Sequence, residues 1–259
     1  MSDFVCENPT YDRIGSTRRF GVELETSRCE NHRSIRGGTI WECKSDCSIE
    51  GKEFVSPILY GDQGLDEVID FCATANRMRW RVSRHCGYHA HFDVENEDWQ
   101  SLRSIAYAYR LTQNLWMQLV SEDRAHNSYC GRVDYEADEV AGINSESDWE
   151  YFVGERDRFE YINWRAYLVH GSVELRLHDA SLDATAINNW VMIHLRFIDY
   201  VKQYSIDALR EKFMGDTDAQ MEMMHDIIGN ALWEYYIEVA SRNGNAFHIN
   251  PIDVYSPPF

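Results

Sequence analysis

From Phe20 to Glu25 the chain alternates. Phe20, Val22 and Leu24 fall on one side of a two-residue period, and Gly21, Glu23 and Glu25 on the other. The same reading predicts strands over 18–26, 39–44 and 52–58, the last ended by Pro57 and Gly61. A helix is expected over 63–78, where Leu65, Val68, Ile69 and Phe71 form the apolar stripe. Strands over 80–83 and 88–94 follow, then a long helix over 96–120 with Asn96 as its N-cap and acidic Glu97 and Asp98 in its first turn. Residues 121–146 read as irregular, and Ser147-Asp148-Trp149-Glu150 has capping-box spacing for a short helix. Segments 161–169 and 173–179 read as a hairpin joined near His170-Gly171-Ser172, and 183–240 as helical with breaks near Ser205 and Gly215. The tail over 250–259 reads as extended, docked by its Tyr and Phe. Strands joined by both hairpins and helices predict an α+β fold: a curved, mostly antiparallel sheet covered by helices, with a helical C-terminal part. No linker marks a boundary, so 1–259 reads as one domain.

Composition narrows the possible partners. Among 259 residues, 43 Asp and Glu outnumber 25 Lys and Arg, for a formal charge of −18. That balance argues against broad nucleic-acid or anionic-membrane binding, where a basic surface supplies the affinity. No apolar run is long enough to span a membrane, and the first residues lack the layout of a signal peptide. Seven scattered Cys fit reduced thiols in a cytoplasmic protein. Cys29, His32, Cys43 and Cys47 could instead form a zinc site, although their spacing is irregular.

The polar faces of the strands hold the candidate chemistry. Glu23 and Glu25 lie about 7 Å apart along one strand and repel unless a cation intervenes; a solvated strand face is the alternative. His89, His91 and Asp93 share one face of 88–94, and imidazole and carboxylate are ordinary ligands of divalent metals. Glu174, Arg176 and His178 share one face of 173–178, read either as an ion-pair ladder or as an Arg placed to hold phosphate oxygens. Glu53 shares a face with Val55, and Asp46-Cys47-Ser48 lies in a turn just before it, where a loop meets a ligand. If three or more of these carboxylates sit about 5 Å apart, each pair costs about 3 kcal/mol at an effective dielectric of 20. Bound cations relieve that cost, and carboxylate-rich sites with one or two His suit Mg2+ or Mn2+ bridging to substrate phosphates. No Gly-rich phosphate loop is present, so a nucleotide would be held by metals and Arg.

The order Phe20-Gly-Val-Glu-Leu-Glu25, Asp46-Cys-Ser48, Glu53-Phe-Val-Ser-Pro57, Gly87-Tyr-His-Ala-His91 and Val173-Glu-Leu-Arg176 resembles the amidoligase family of carboxylate–amine ligases. Asn163, Arg124 and the Tyr129-Cys130 pair also look like the family pattern, which covers roughly residues 18–183. The family usually has Gly between the Asp and Ser of the turn. Cys47 stands there, and its Cβ resists positive φ.

The resemblance implies a glutamine synthetase-like catalytic sheet that binds ATP and Mg2+ or Mn2+. In it Glu23, Glu25, Glu53 and Glu174 would be metal ligands, with His89 or His91 completing the set. Arg176 and Arg124 would neutralise the transferring phosphoryl group, with Glu53 also catalytic, while Asp46, Ser48, Arg84, His91 and Asn163 would contact the nucleotide. It further implies an acyl phosphate formed on an amino-acid or peptide-like carboxylate and then attacked by an amine. The oligomeric state stays open. The competing readings are a metal-dependent hydrolase using His89-x-His91, an ATP-dependent phosphotransferase on the same fold, and a binding module without activity.

Overall fold

The elements follow from where alternation persists and where caps interrupt it. The computed structural model describes residues 14–30, 40–45, 51–213, 215 and 217–244. The first half contains β1 (Phe20–Thr26), β2 (Glu42–Lys44), β3 (Lys52–Val55), α1 (Gly61–Arg77), β4 (Gly87–Asp93) and α2 (Trp99–Leu111). Short helices α3 (Gln113–Met117), α4 (Glu122–Ala125), α5 (Ala137–Ala141) and α6 (Glu146–Gly154) follow. Then come β5 (Ile162–Asn163), α7 (Arg165–His170) and β6 (Ser172–Asp179). The chain continues as α8 (Ala184–Val201), α9 (Ile206–Phe213), α10 (Thr217–Ile228) and α11 (Asn230–Arg242). This is the expected α+β architecture, with a helical C-terminal part.

The six strands form one antiparallel sheet in the order β2-β3-β1-β4-β6-β5. Its apolar face is dry. Val22, Leu24, Ala90, Phe92, Val173 and Leu175 have no measurable exposure. Helix α8 packs on this face: Tyr88 donates to the Ile187 carbonyl at 3.3 Å, and the Phe92 ring lies 6.0 Å from His194. Helix α1 covers the β3 end, where Phe54 stacks on Trp80 at 4.4 Å and meets Phe71 at 5.5 Å. With one face sealed in this way, a one-residue slip of β1 would bury Glu23 and Glu25, so the register is strongly specified.

Several expectations need correction. The segment 80–83 is not a strand; among the described residues it contributes a single bridge, Arg28 to Arg81, after Arg79 has turned the chain with φ 59°. The helix expected over 96–120 is capped by Asp98, whose side chain accepts from Ser101 N at 2.7 Å, and breaks at Thr112, whose hydroxyl bonds back to the Ala108 carbonyl. Helix α6 is capped by Ser145, not Ser147, and 121–146 contains the short α4 and α5. The expected hairpin over 161–179 keeps only two residues in its first strand. The Asn163 side chain accepts from Arg165 N at 3.0 Å, α7 begins there, and Gly171 ends it in the left-handed region at φ 62°. Beyond 183 the breaks near Ser205 and Gly215 are present, with a further one at Gly229. The tail over 250–259 lies outside the described residues.

His178 also departs from expectation. Ala90 faces Leu175 and Tyr88 faces His178, so β6 spends one extra residue opposite β4. That bulge turns His178 off the polar face and onto the helices, where its ring lies 4.8 Å from Trp190.

Phe54→Ala removes the ring that joins β3 to α1 and Trp80. It is expected to cost about 3–5 kcal/mol of unfolding free energy, read from urea denaturation with an unchanged m-value.

Candidate active site on the open sheet face

The opposite face of the sheet is open, and the register sets what stands on it. Cross-strand partners are Gly21 with His91, Glu23 with His89, Glu25 with Glu53, and His91 with Glu174, which in turn faces Asn163 on β5. Directly opposed side chains on one face have their Cβ atoms about 5 Å apart, so antiparallel pairing alone gathers these groups.

His89 sits at the centre. Its Nδ1 is 3.3 Å from Glu23 Oε2 and 3.3 Å from Glu174 Oε1, and its Nε2 is 3.9 Å from Glu25 Oε1. His91 Nδ1 lies 3.0 Å from Ser172 Oγ. Its Nε2 is buried 3.5 Å from Glu23 Oε1 without hydrogen-bond geometry. Glu174, 5% exposed, accepts from Asn163 Nδ2 at 2.6 Å and from Arg176 Nη1 at 2.5 Å. Two overlapping groups bring ligand atoms within 4.8 Å of one another: Glu23, His91 and Glu174, and Glu23, Glu53 and His89. These are oxygen-rich sets with one imidazole each, and the orphaned His91 nitrogen adds an unused donor. They fit a hard divalent cation of the Mg2+ or Mn2+ kind.

Glu25 stands outside both groups. Its Oε2 accepts from Gly87 N at 2.5 Å. A Cβ at Gly87 would fall 2.4 Å from Arg124 Nη2 and 3.1 Å from His89 Nε2, so glycine here lets the guanidinium close over the strand. Arg124 is 4% exposed. It donates through Nη2 to the Arg176 carbonyl at 2.6 Å and through Nε to the Leu177 carbonyl at 3.2 Å, and has no carboxylate within ion-pair distance among the described residues. Its helix is tied to the sheet by Asp179, which accepts from Ser121 N at 2.9 Å and Ser121 Oγ at 2.6 Å. A buried guanidinium without a counter-ion is costly, so this end of the face is prepared for an anion.

The remaining expected residues divide. Arg176 divides its guanidinium between Glu174 and the Tyr129 carbonyl. Asn163 uses its amide on Glu174 and Arg165 N, and so braces a carboxylate. Arg84 is exposed on the loop before β4 and pairs with none of the cluster's carboxylates among the described residues. Asp46 and Ser48 lie outside the described residues, as do His32 and Cys47 of the zinc alternative. Sequence reasoning missed Ser172, which orients His91, and Asp179, which places Arg124; neither stands in a motif. A larger cavity of about 930 Å³, between α1 and the start of α8, shares no residue with the cluster.

Burial by itself would raise the Glu23 carboxyl, but contacts and charge from His89 and His91 outweigh it and hold it well below the usual range. Burial likewise opposes ionisation of Glu174, and the charges of His89, Arg176 and His91 with the Asn163 bond bring it down. Burial pulls His91 downward, while Glu23 and the charge of Glu174 raise it on balance. On the metal-free face the carboxylates are thus offset by the imidazoles beside Glu23 and by the Arg176 guanidinium on Glu174.

Compared with known proteins, residues 38–198 match the family model described as "Putative amidoligase enzyme". Among curated proteins none matches the chain. Among solved structures it is similar to a bifunctional glutathione synthetase from Pasteurella multocida, at 13% identity and TM-score 0.46, over 88% of this chain and 47% of that one. It is also similar to the complex between the prokaryotic ubiquitin-like protein Pup and its ligase PafA, at 12% identity and TM-score 0.39, over 88% of this chain and 58% of that one. The chain thus spans about half the length of these structures.

In chelator-treated protein, the stability that His91 contributes is present below its ordinary value of 6.5 and is lost as pH rises through its raised one. The contribution of Glu23 is present above its ordinary 4.5 and is lost as pH falls. Denaturation across pH with His91→Gln is expected to remove the alkaline loss and leave an acid loss. An unchanged alkaline limb would show that His91 is not the compensating cation.

Proposed function

The chain belongs to the amidoligase family, and from that premise we propose that it is an ATP-dependent carboxylate–amine ligase. On this reading it is a single amidoligase-like domain, with a glutamine synthetase-like sheet core over 18–183 and helices beyond. The observation that supports it is the convergence of Glu23, Glu53, Glu174, His89 and His91 on one open face, beside a buried Arg124 that lacks a counter-ion.

A carboxylate oxygen of the acid substrate attacks the γ-phosphorus of ATP. The bond from that phosphorus to the β–γ bridging oxygen breaks, and ADP leaves. The amine nitrogen of the second substrate then attacks the acyl carbon and forms the C–N bond. The acyl C–O bond to phosphate breaks, phosphate leaves, and the nitrogen gives up one proton.

Bound Mg2+ or Mn2+ would supply the charge that offsets the carboxylates and engages phosphate oxygens. Glu23, Glu53 and Glu174 with His89 and His91 are the residues that would hold it, and Glu25, outside both groups, would stand beside them. Arg124 and Arg176 would draw charge off the transferring phosphoryl group, and Asn163 braces the Glu174 carboxylate through its amide. Catalysis is positioning and charge stabilisation, which suits a face made of carboxylates and guanidinium groups. No helix among the described residues is long and apolar enough to cross a membrane. The buried thiols of Cys72, Cys86 and Cys130 are in keeping with a reducing, cytoplasmic setting.

The test is ADP release with pools of acids and amines. Amine-dependent release that Glu23→Gln and Glu174→Gln abolish is the expected result, and equal activity in those variants would sink the reading. Turnover that needs metal but no nucleotide would favour the hydrolase, and a phosphorylated product without amine the phosphotransferase. Arg124→Lys keeps the charge but loses the planar fork, and is expected to lower kcat by about 10²–10³.

A further inference from the structure

At the Gly21 end of the open face a cavity of about 370 Å³ adjoins the carboxylate cluster and shares Glu23 and His91 with it. The guanidinium without a carboxylate partner lies the other way: Arg124 covers Gly87, beside Glu25. A phosphate held at the Arg124 end and a ligand in this cavity would therefore meet over the same carboxylates from opposite sides.

Gly21 is the telling residue. It sits inside β1, where glycine weakens a strand. Its φ is not positive, so no backbone conformation demands glycine. A Cβ built there would lie 3.7 Å from His91 Cβ and 3.9 Å from Ser56 Oγ, both ordinary contacts, so the protein's own packing does not demand it either. What the missing side chain spares is the floor of the cavity. Glycine inside a strand with neither cause is how a backbone admits the close approach of a ligand.

The walls show what kind of ligand fits. Lys44, 3.6 Å from Glu42, and His170 line the cavity together with Asp93 and Glu95, and the Arg19 guanidinium is matched by Asp93 at 2.6 Å and Glu95 at 3.5 Å. Mixed charge around a volume near the lower end for small-molecule sites suits a small zwitterion better than an apolar acid.

We infer that this cavity holds the phosphoryl-accepting acid, that the acid is a free amino acid or comparably small zwitterion, and that Gly21 limits its size. The inference rests on the ligase reading for the role of the acid, but not for its binding.

Two measurements test it. The first is saturation-transfer NMR with the twenty common amino acids, in the presence of Mg2+, on wild type, Gly21→Ala and Gly21→Val. Binding of at least one amino acid that Gly21→Val abolishes is expected, with thermal midpoints no lower than wild type and Mn2+ affinity unchanged. No binding of any amino acid to the wild type overturns the substrate class, whatever the turnover assay shows. Undiminished binding to a folded Gly21→Val overturns the cavity. The second is steady-state kinetics on an active acid. Gly21→Val is expected to raise its KM at least tenfold and leave the KM for ATP unchanged, and the reverse pattern would assign the cavity to the nucleotide.

Discussion

Carboxylates crowded onto a face that water only partly reaches must be matched by positive charge, and the open side of this sheet is organised around that requirement. Two unit charges about 5 Å apart repel by about 3 kcal/mol at an effective dielectric of 20. Glu23, Glu25, Glu53 and Glu174 could not all ionise there unaided. His89 stands within 4 Å of three of them, His91 beside Glu23, and Arg176 on Glu174. These contacts explain why Glu23 and Glu174 titrate low despite their burial. They also explain how such a face folds before any cation arrives. On the proposed reading, a divalent cation would enter a place already shaped for positive charge.

The placement of those groups is inherited from the far side of the sheet. Val22, Leu24, Ala90 and Phe92 are locked against helices, so β1 and β4 cannot slide without exposing them. The bulge in β6 makes one exception to regular pairing and gives two results. It sends His178 to the helices, and it precedes Asp179, whose carboxylate ties down Ser121 and with it the short helix of Arg124. Core packing and the anion-seeking end of the site are thus joined through one irregularity.

The strands that matter were legible because period-two alternation is a strong signal when one face is sealed, as in β1, β4 and the first part of β6. The clustering of Glu23, Glu53, His89, His91 and Glu174 was legible for the same reason, since all lie on polar phases of their strands. Other features depend on three-dimensional contacts that no local pattern records. Residues 165–170 are apolar enough for a strand but become α7, which starts where the Asn163 side chain accepts from Arg165 N and ends at Gly171. Thr112 breaks a long helical pattern through its own hydroxyl. His178 follows its phase in the sequence and is moved by the bulge. Arg124 stands out in the sequence only through the family resemblance, and its burial is revealed only by its packing over Gly87 and the carbonyls of β6.

The borders of the sheet have a consequence of their own. β2 has three residues, all exposed, including Glu42 and Lys44, and β5 has two. Among the described residues, a neighbouring chain seeking to extend the sheet would find a three-residue edge on one side, with charges beside it, and a two-residue strand on the other. Brief, charged borders of this kind deter strand-by-strand association between molecules. A sheet that leaves one broad face uncovered would otherwise be sticky at its margins, and here the described rim is short, and charged at β2, while the face stays open.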